Sequence, residues 1–234
     1  MRILAFESSA KTAGVALVED GKLIGEYLQN SGQTHSRTLM KMAEDLLSNC
    51  DLKPSEIDAA ACAAGPGSFT GIRIGVSAAK GFAWGLDIPC VGVSTLEGMV
   101  RSIAVTDGVY CAVMDARRSQ VYTALFCVDG GTLHRMTEDM AISLDELGNL
   151  LEKTEKEKIL VGDGAAMCYN ELQNRVSNLI LMPEHLRMQR ASGAALTAWL
   201  RLSAGERPDG GALVPNYLRL SQAERERMNK EKVE

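Results

Sequence analysis

Short apolar runs and helical stripes alternate along the whole chain. Residues 3–6 form an apolar run that ends on Glu7, and residues 14–18 and 23–28 form two more around Asp20-Gly21. Asp-Gly between two such runs signals a hairpin. Residues 36–49 carry Leu39, Met40, Met42, Ala43, Leu46 and Leu47, a helical stripe wide enough to face two partners. Residues 57–64 are almost wholly apolar and bounded by a turn, which predicts a buried strand. Residues 72–86 contain no proline and predict a helix; residues 90–93, after Pro89, predict another strand. Ser94-Thr95-Leu96-Glu97 has the form of a capping box and sets a helix start at Thr95.

The pattern then repeats. Residues 111–114 form an apolar run ending in Asp115, and residues 121–128 form the next strand, closed by Asp129-Gly130. Glu7 and Asp115 are 108 positions apart, and Asp20 and Asp129 are 109 apart. Later, Ser143 caps a helix, residues 159–161 make a strand, Gly162-Asp163-Gly164 turns into helix 165–176, and residues 192–202 form a last helix. This predicts an α/β chain of two duplicated β-β-β-α-β-α subdomains, 1–106 and 107–220. Residues 221–234 form a charged tail; from 222 onward charges alternate with almost nothing apolar, a solvated helix or a disordered end.

The stretch joining strand to helix in the first half is Ala63-Ala64-Gly65-Pro66-Gly67-Ser68-Phe69-Thr70-Gly71-Ile72-Arg73-Ile74-Gly75. Glycine there allows positive φ and close approach of an anion or another backbone. Ser68 or Thr70 can cap the helix, and a helix start after a Gly-rich loop can hold an anion. A tight capped turn explains the same residues. No Lys-Ser or Lys-Thr follows the last glycine, so the stretch is not a P-loop. Gly71, Gly75, Ala78, Ala79 and Ala83 recur every three or four residues as one nearly bare helical stripe. It lies either flat on the chain's own sheet or against another chain. In the second case Ala79→Arg leaves a folded monomer that no longer associates; in the first, the fold fails.

The 234 residues are 46% hydrophobic, enough for one large or two small domains. A net charge of -5 gives no global sign of an independent nucleic-acid binder, and Arg117-Arg118 is a local basic spot. Six cysteines, at 50, 62, 90, 111, 127 and 168, have no C-x-x-C spacing and predict free, mostly buried thiols. Glu7 rules out a signal peptide, and no apolar run spans a membrane, so a soluble, cytoplasmic protein is expected. His35, His134 and His185 are far apart and form neither a triad nor a helical metal pair. Glu7-Ser8-Ser9 with Gly14, and Asp115-Ala116-Arg117, are candidate nucleotide turns; either can be a capped hairpin, the reading that the second favours.

The residues 65–75 closely resemble the signature of the TsaB family, a bacterial subunit of the machinery that places N6-threonylcarbamoyl on an adenosine beside the tRNA anticodon. Gly92-Val93-Ser94-Thr95-Leu96, Asp115-Ala116-Arg117 with Val121-Tyr122, and Pro215-Asn216-Tyr217-Leu218-Arg219 fit the same family. The resemblance implies the actin-like (ribonuclease H-like) fold. It implies a non-catalytic scaffold that pairs with a TsaD-like catalytic subunit and a TsaE-like ATPase, meets tRNA only through the complex, and forms a homodimer when alone. TsaD relatives hold a metal with an H-x-x-x-H motif; here Thr95 and Met99 stand at the two histidine positions, which implies no metal site. Glu7 stands where TsaB more often has Asp. No cofactor of its own is expected; Glu7, Ser8, Gly67, Ser68 and Thr70 are the candidate nucleotide contacts. The implied partner interface is His35, Leu39, Met42, Gly71, Gly75, Ala78, Ala79 and Phe82. The rival expectation is an independent metal- or ATP-dependent enzyme of the actin-like class, a glycoprotease-like hydrolase or a small kinase.

Overall fold

The computed structural model describes residues 1–219; the charged tail lies outside the described residues. Two sheets share one strand order. The first reads β3-β2-β1-β4-β5, built from β1 (Arg2–Glu7), β2 (Ala13–Glu19), β3 (Lys22–Gln29), β4 (Ala59–Gly65) and β5 (Cys90–Ser94). The second reads β8-β7-β6-β10-β11, from β6 (Gly108–Asp115), β7 (Gln120–Asp129), β8 (Thr132–Arg135), β10 (Lys158–Val161) and β11 (Leu179–Leu181), with β9 (Met140–Ser143) also paired to β7. In each sheet the first three strands are antiparallel and the later ones join in parallel. The duplication is therefore real, and the fold is actin-like.

Side-chain alternation sorts the helices into layers. Leu4 and Phe6 of β1 point to one face, where α1 (His35–Asn49) and α2 (Phe69–Leu86) bury Leu39, Leu46, Ile72, Val76 and Ala79. Ile3 and Ala5 point to the other, where α7 (Ala191–Ser203) lays Ala194, Ala195 and Ala198. Beyond α7 comes α3 (Thr95–Arg101), whose Leu96, Met99 and Val100 pack on the second sheet. The outer face of that sheet is covered by α4 (Leu144–Leu151) and α5 (Ala165–Leu172). A short helix, α6 (Glu184–Arg187), precedes α7.

Three features differ from the sequence-based expectation. The last helix belongs in space to the first sheet, so the boundary at 106 divides the chain but not the packing. The helix expected over 165–176 stops at Leu172. The small stripe of α2 also has a different use. Ala79 is fully buried, Gly71 leaves no room for a Cβ beside the Ser8 carbonyl, and a Cβ at Gly75 would stand 2.6 Å from Ser8 Oγ. The stripe is bare because the end of β1 lies against it. Close helix-to-helix approach does occur, between α3 and α7, where a side chain on Gly193 would collide with the Gly98 carbonyl.

Candidate functional site

A cleft of about 550 Å³ opens between the sheets. One wall is the α2 N-terminus, with Pro66, Gly67, Ser68, Phe69 and Thr70; the other is the β6–β7 turn, with Asp115, Ala116, Arg117 and, on β7, Tyr122. Ser9, Lys11 and Asp163 line it as well, and Asn216, Tyr217, Leu218 and Arg219 form its rim. Ser68 is the N-cap of α2 and accepts from Gly71 N at 3.3 Å, so the helix begins three residues before the sequence places it.

The β1–β2 turn is locked beneath this wall. Ser68 N donates to the Ser9 carbonyl at 2.7 Å, and Ser8 Oγ donates to the Gly71 carbonyl at 2.8 Å. Gly67 has φ +158° and comes so close to the Ser9 carbonyl that a Cβ would overlap it. Glu7 is fully enclosed, and its carboxylate accepts from Ser9 N at 2.6 Å. Burial pushes the Glu7 carboxyl up to about 7, against the pull of its hydrogen bonds, and the charge of Asp163 adds to the rise. Burial raises Asp163 too, while a 3.0 Å bond from Gln189 Nε2 opposes the shift. Ser9 Oγ is buried without a hydrogen-bond partner.

Glu7 and Ser8 thus lie behind the wall and do not line the cleft, which removes direct nucleotide contact from their side chains. Gly67, Ser68 and Thr70 do line it. A buried carboxyl held toward its neutral form is a poor ligand for a hard cation, which prefers ionised oxygen. Thr95 and Met99 are likewise core residues: both are buried, and Thr95 Oγ1 has no hydrogen-bond partner. Among the described residues no group of three His, Cys, Asp or Glu is placed to hold a metal ion. Within the Asp115 turn, Asp115 Oδ1 accepts from Arg117 N at 2.6 Å.

Of the expected interface residues, Gly71, Gly75 and Ala79 are buried inside the chain, and Leu39 is buried in the core while it also lines the α1–α2 groove. His35, Met42, Ala78 and Phe82 are partly buried, and His35 Nε2 lies 2.8 Å from the Ala10 carbonyl. The α1–α2 face presents an open groove of about 560 Å³ between Met40, Arg73, Ile74, Ser77 and Ala78. Trp84 stands 87% exposed on the same helix. Sequence reasoning missed Lys11, Asp163 and Gln189. Only the glycines around Asp163 and the Pro215–Arg219 likeness gave any signal for this end of the cleft.

A family model described as "TsaD: tRNA N6-adenosine threonylcarbamoyltransferase" matches residues 27–227. The chain is 33% identical over 225 residues to the tRNA threonylcarbamoyladenosine biosynthesis protein TsaB of Bacillus subtilis, covering 96% of both chains. It is 32% identical over 167 residues to the protein of the same name in Escherichia coli, covering 70% of this chain and 72% of that one. In structure it is similar to YeaZ from Pseudomonas aeruginosa, with a TM-score of 0.75 and 24% identity over 93% of this chain and 99% of that chain.

Proposed function

Since the chain belongs to the TsaB family, we propose that it serves tRNA threonylcarbamoyladenosine biosynthesis as a non-catalytic subunit. It acts by binding a TsaD-like catalytic subunit and a TsaE-like ATPase, with tRNA reached through that complex. The observation that carries this reading is the fate of Thr95 and Met99. At the positions where TsaD relatives place metal-binding histidines, this chain has a buried hydroxyl, Thr95, and a thioether, Met99, packed between α3 and the second sheet. A thioether and a lone hydroxyl are poor ligands for a catalytic transition metal.

The partner surface in this reading is the outer face of α1 and α2. Met42, Ala78 and Phe82 flank it, with Met40 and Ser77 at its centre. Gly71, Gly75 and Ala79 contribute from behind, by seating α2 on the sheet. The same face serves the homodimer formed without a partner.

The test is reconstitution. Threonylcarbamoyl adenylate and tRNA are incubated with the chain alone, with the TsaD-like and TsaE-like proteins alone, and with all three. Product is expected only in the full mixture. Modification by the chain alone at the rate of the full set would overturn the proposal. Ser77→Arg is expected to abolish co-elution with the TsaD-like subunit at an unchanged melting temperature; a variant that still co-elutes normally moves the interface elsewhere.

A further inference from the structure

After α7 the chain does not stop at the first sheet. Residues 209–219 run as a strap without helix or strand, and its last four residues form the cleft rim. Lys80 Nζ donates to the carbonyls of Gly211 and Leu213, both at 3.0 Å. The Leu213 side chain fills the space that a Cβ on Gly92 would need. Asn216 N donates to the Ala64 carbonyl at 2.7 Å, and the Asn216 carbonyl occupies the position of a missing Cβ at Gly65. Tyr217 stacks on Phe69 with ring centroids 4.7 Å apart, and Arg73 Nε donates to its hydroxyl at 2.7 Å. The Arg73 guanidinium also lies 3.9 Å from the Phe69 ring centroid.

Each of these anchors lies on the first half of the molecule. The last does not. Arg219 crosses the cleft, and its guanidinium donates to the Ala116 carbonyl, with the Arg117 carbonyl at 3.4 Å. These acceptors sit in the β6–β7 turn of the second half. Among the described residues the strap is therefore a tie between the two walls, well seated at one end and held at the other through Arg219, while α3, the Ser94–Asp139 bond and the Glu97–Arg135 ion pair also join the halves. Two guanidinium-to-carbonyl contacts from one side chain, one part-buried and one exposed, are more easily broken than the buried seat at Gly65 and Gly92.

We propose that residues 209–219 form a latch: with Arg219 engaged the cleft is held closed, and with Arg219 released the walls part about a strap that stays seated on the first half. The device also joins the cleft to the α1–α2 face, because Phe69 lines the cleft and, with Arg73, the groove.

The test uses the full chain, with nitroxide labels at two exposed positions, one on each half, through Lys22→Cys and Asn170→Cys. The partly exposed Cys50 and Cys127 are first replaced by serine. Pulsed dipolar spectroscopy is expected to give one distance distribution for the parent. It is expected to become longer or broader with Arg219→Ala and to return to the parent's with Arg219→Lys, which can still donate to one carbonyl. Hydrogen exchange supplies the second readout. The Asn216 amide is expected to stay protected in all three proteins, while exchange in the β6–β7 turn rises at least tenfold in Arg219→Ala. An unchanged distance distribution in Arg219→Ala, an unprotected Asn216 amide in the parent, or a collapse of the melting transition in Arg219→Ala would each overturn the latch. The last would make the contact part of the core.

Discussion

The two halves place a turn at the same point, after the first strand of each sheet, and treat it in opposite ways. In Glu7-Ser8-Ser9 the two serines are roofed by α2: Gly67, Gly71 and Gly75 give up their side chains so that the helix can rest on them. In the second half Gly162 and Gly164 make the equivalent approach, but they close on Val113, Met114 and Asp115 N. The roof ends there, and Ala116 to Ser119 project beyond it, with Arg117, Arg118 and Ser119 exposed. One duplicated frame thus yields a buried acid beside a rigid helix terminus and, opposite it, an open basic turn. What differs is how far the glycines carry the following helix over the strand end.

The largest effect is expected from lifting the roof. Ala79→Arg puts a guanidinium between α2 and the first sheet with no partner, a loss of about 3–5 kcal/mol. That is a large share of the roughly 5–15 kcal/mol that stabilises a domain. The variant is expected to fail to fold, as judged by circular dichroism and by the absence of a cooperative melt. Gly81→Ala, on the opposite face of the same helix where a Cβ meets nothing within 4 Å, is the control. It is expected to gain up to about 1 kcal/mol from helix propensity. A folded Ala79→Arg monomer would return the stripe to the surface and undo the contrast between the turns.

Next comes the buried acid of the same turn. The Glu7 carboxyl is raised from 4.5 to about 7, so between these values the folded state keeps a proton that the unfolded state has released. The stability from the protonated form is complete below pH 4.5 and is lost as pH rises through about 7. The shift corresponds to about 3 kcal/mol. Glu7→Gln is expected to flatten this pH dependence and to melt roughly 5–10 °C above the parent at pH 8. At pH 4.5 the two should be nearly equal. Asp115→Asn, in the open turn, is expected to change stability by less than about 1 kcal/mol at either pH. An equal response from both variants would show that the turns do not differ in burial.

Much of this frame can be read from the chain. Runs such as 3–6 and 111–114 are too apolar to be anything but interior strands, and Ser94 and Ser143 mark their helix starts by chemistry. The third strand of the second half was harder. Its place is shared by β8 and β9, short and half-exposed, and neither carries a strong alternation. The partner of α7 was also hidden. Its buried face is mostly alanine and other small residues, which fits any flat surface, and the match is completed by Ala5, Ala16, Ala59 and Ala61 among the residues of the first sheet. At the site, Glu7 and the α2 cap were legible. That Glu7 is enclosed was not, because strand parity puts it on the Ile3 and Ala5 face but does not say which later segments cover that face. The meeting of Asp163, Gln189 and the strap with the cleft depends on chain crossings that local pattern does not encode.

The smallest effect concerns the open turn. Arg117, Arg118 and Ser119 have φ of +62°, +57° and +56°, three successive left-handed residues, none of them glycine. Each such residue costs roughly 1–2 kcal/mol in contact between Cβ and its own backbone. Glycine removes that cost but carries a larger entropy loss on folding, of roughly 0.5–1 kcal/mol. Arg118 is the residue to change, since Arg117 N binds Asp115 and the Arg117 carbonyl faces Arg219 and Gln120 N. Arg118→Gly is therefore expected to raise stability by a few tenths to about 1 kcal/mol, read from denaturant unfolding. Gly67→Ala is the matched change under the roof. There the added Cβ overlaps the Ser9 carbonyl, and the same measurement should show a clear loss. Opposite signs are expected if the first turn is set by close backbone packing and the second by its own local conformation. A loss in Arg118→Gly would mean that the Arg118 side chain is held by contacts that outweigh its strain, and the second turn would then be as tightly built as the first.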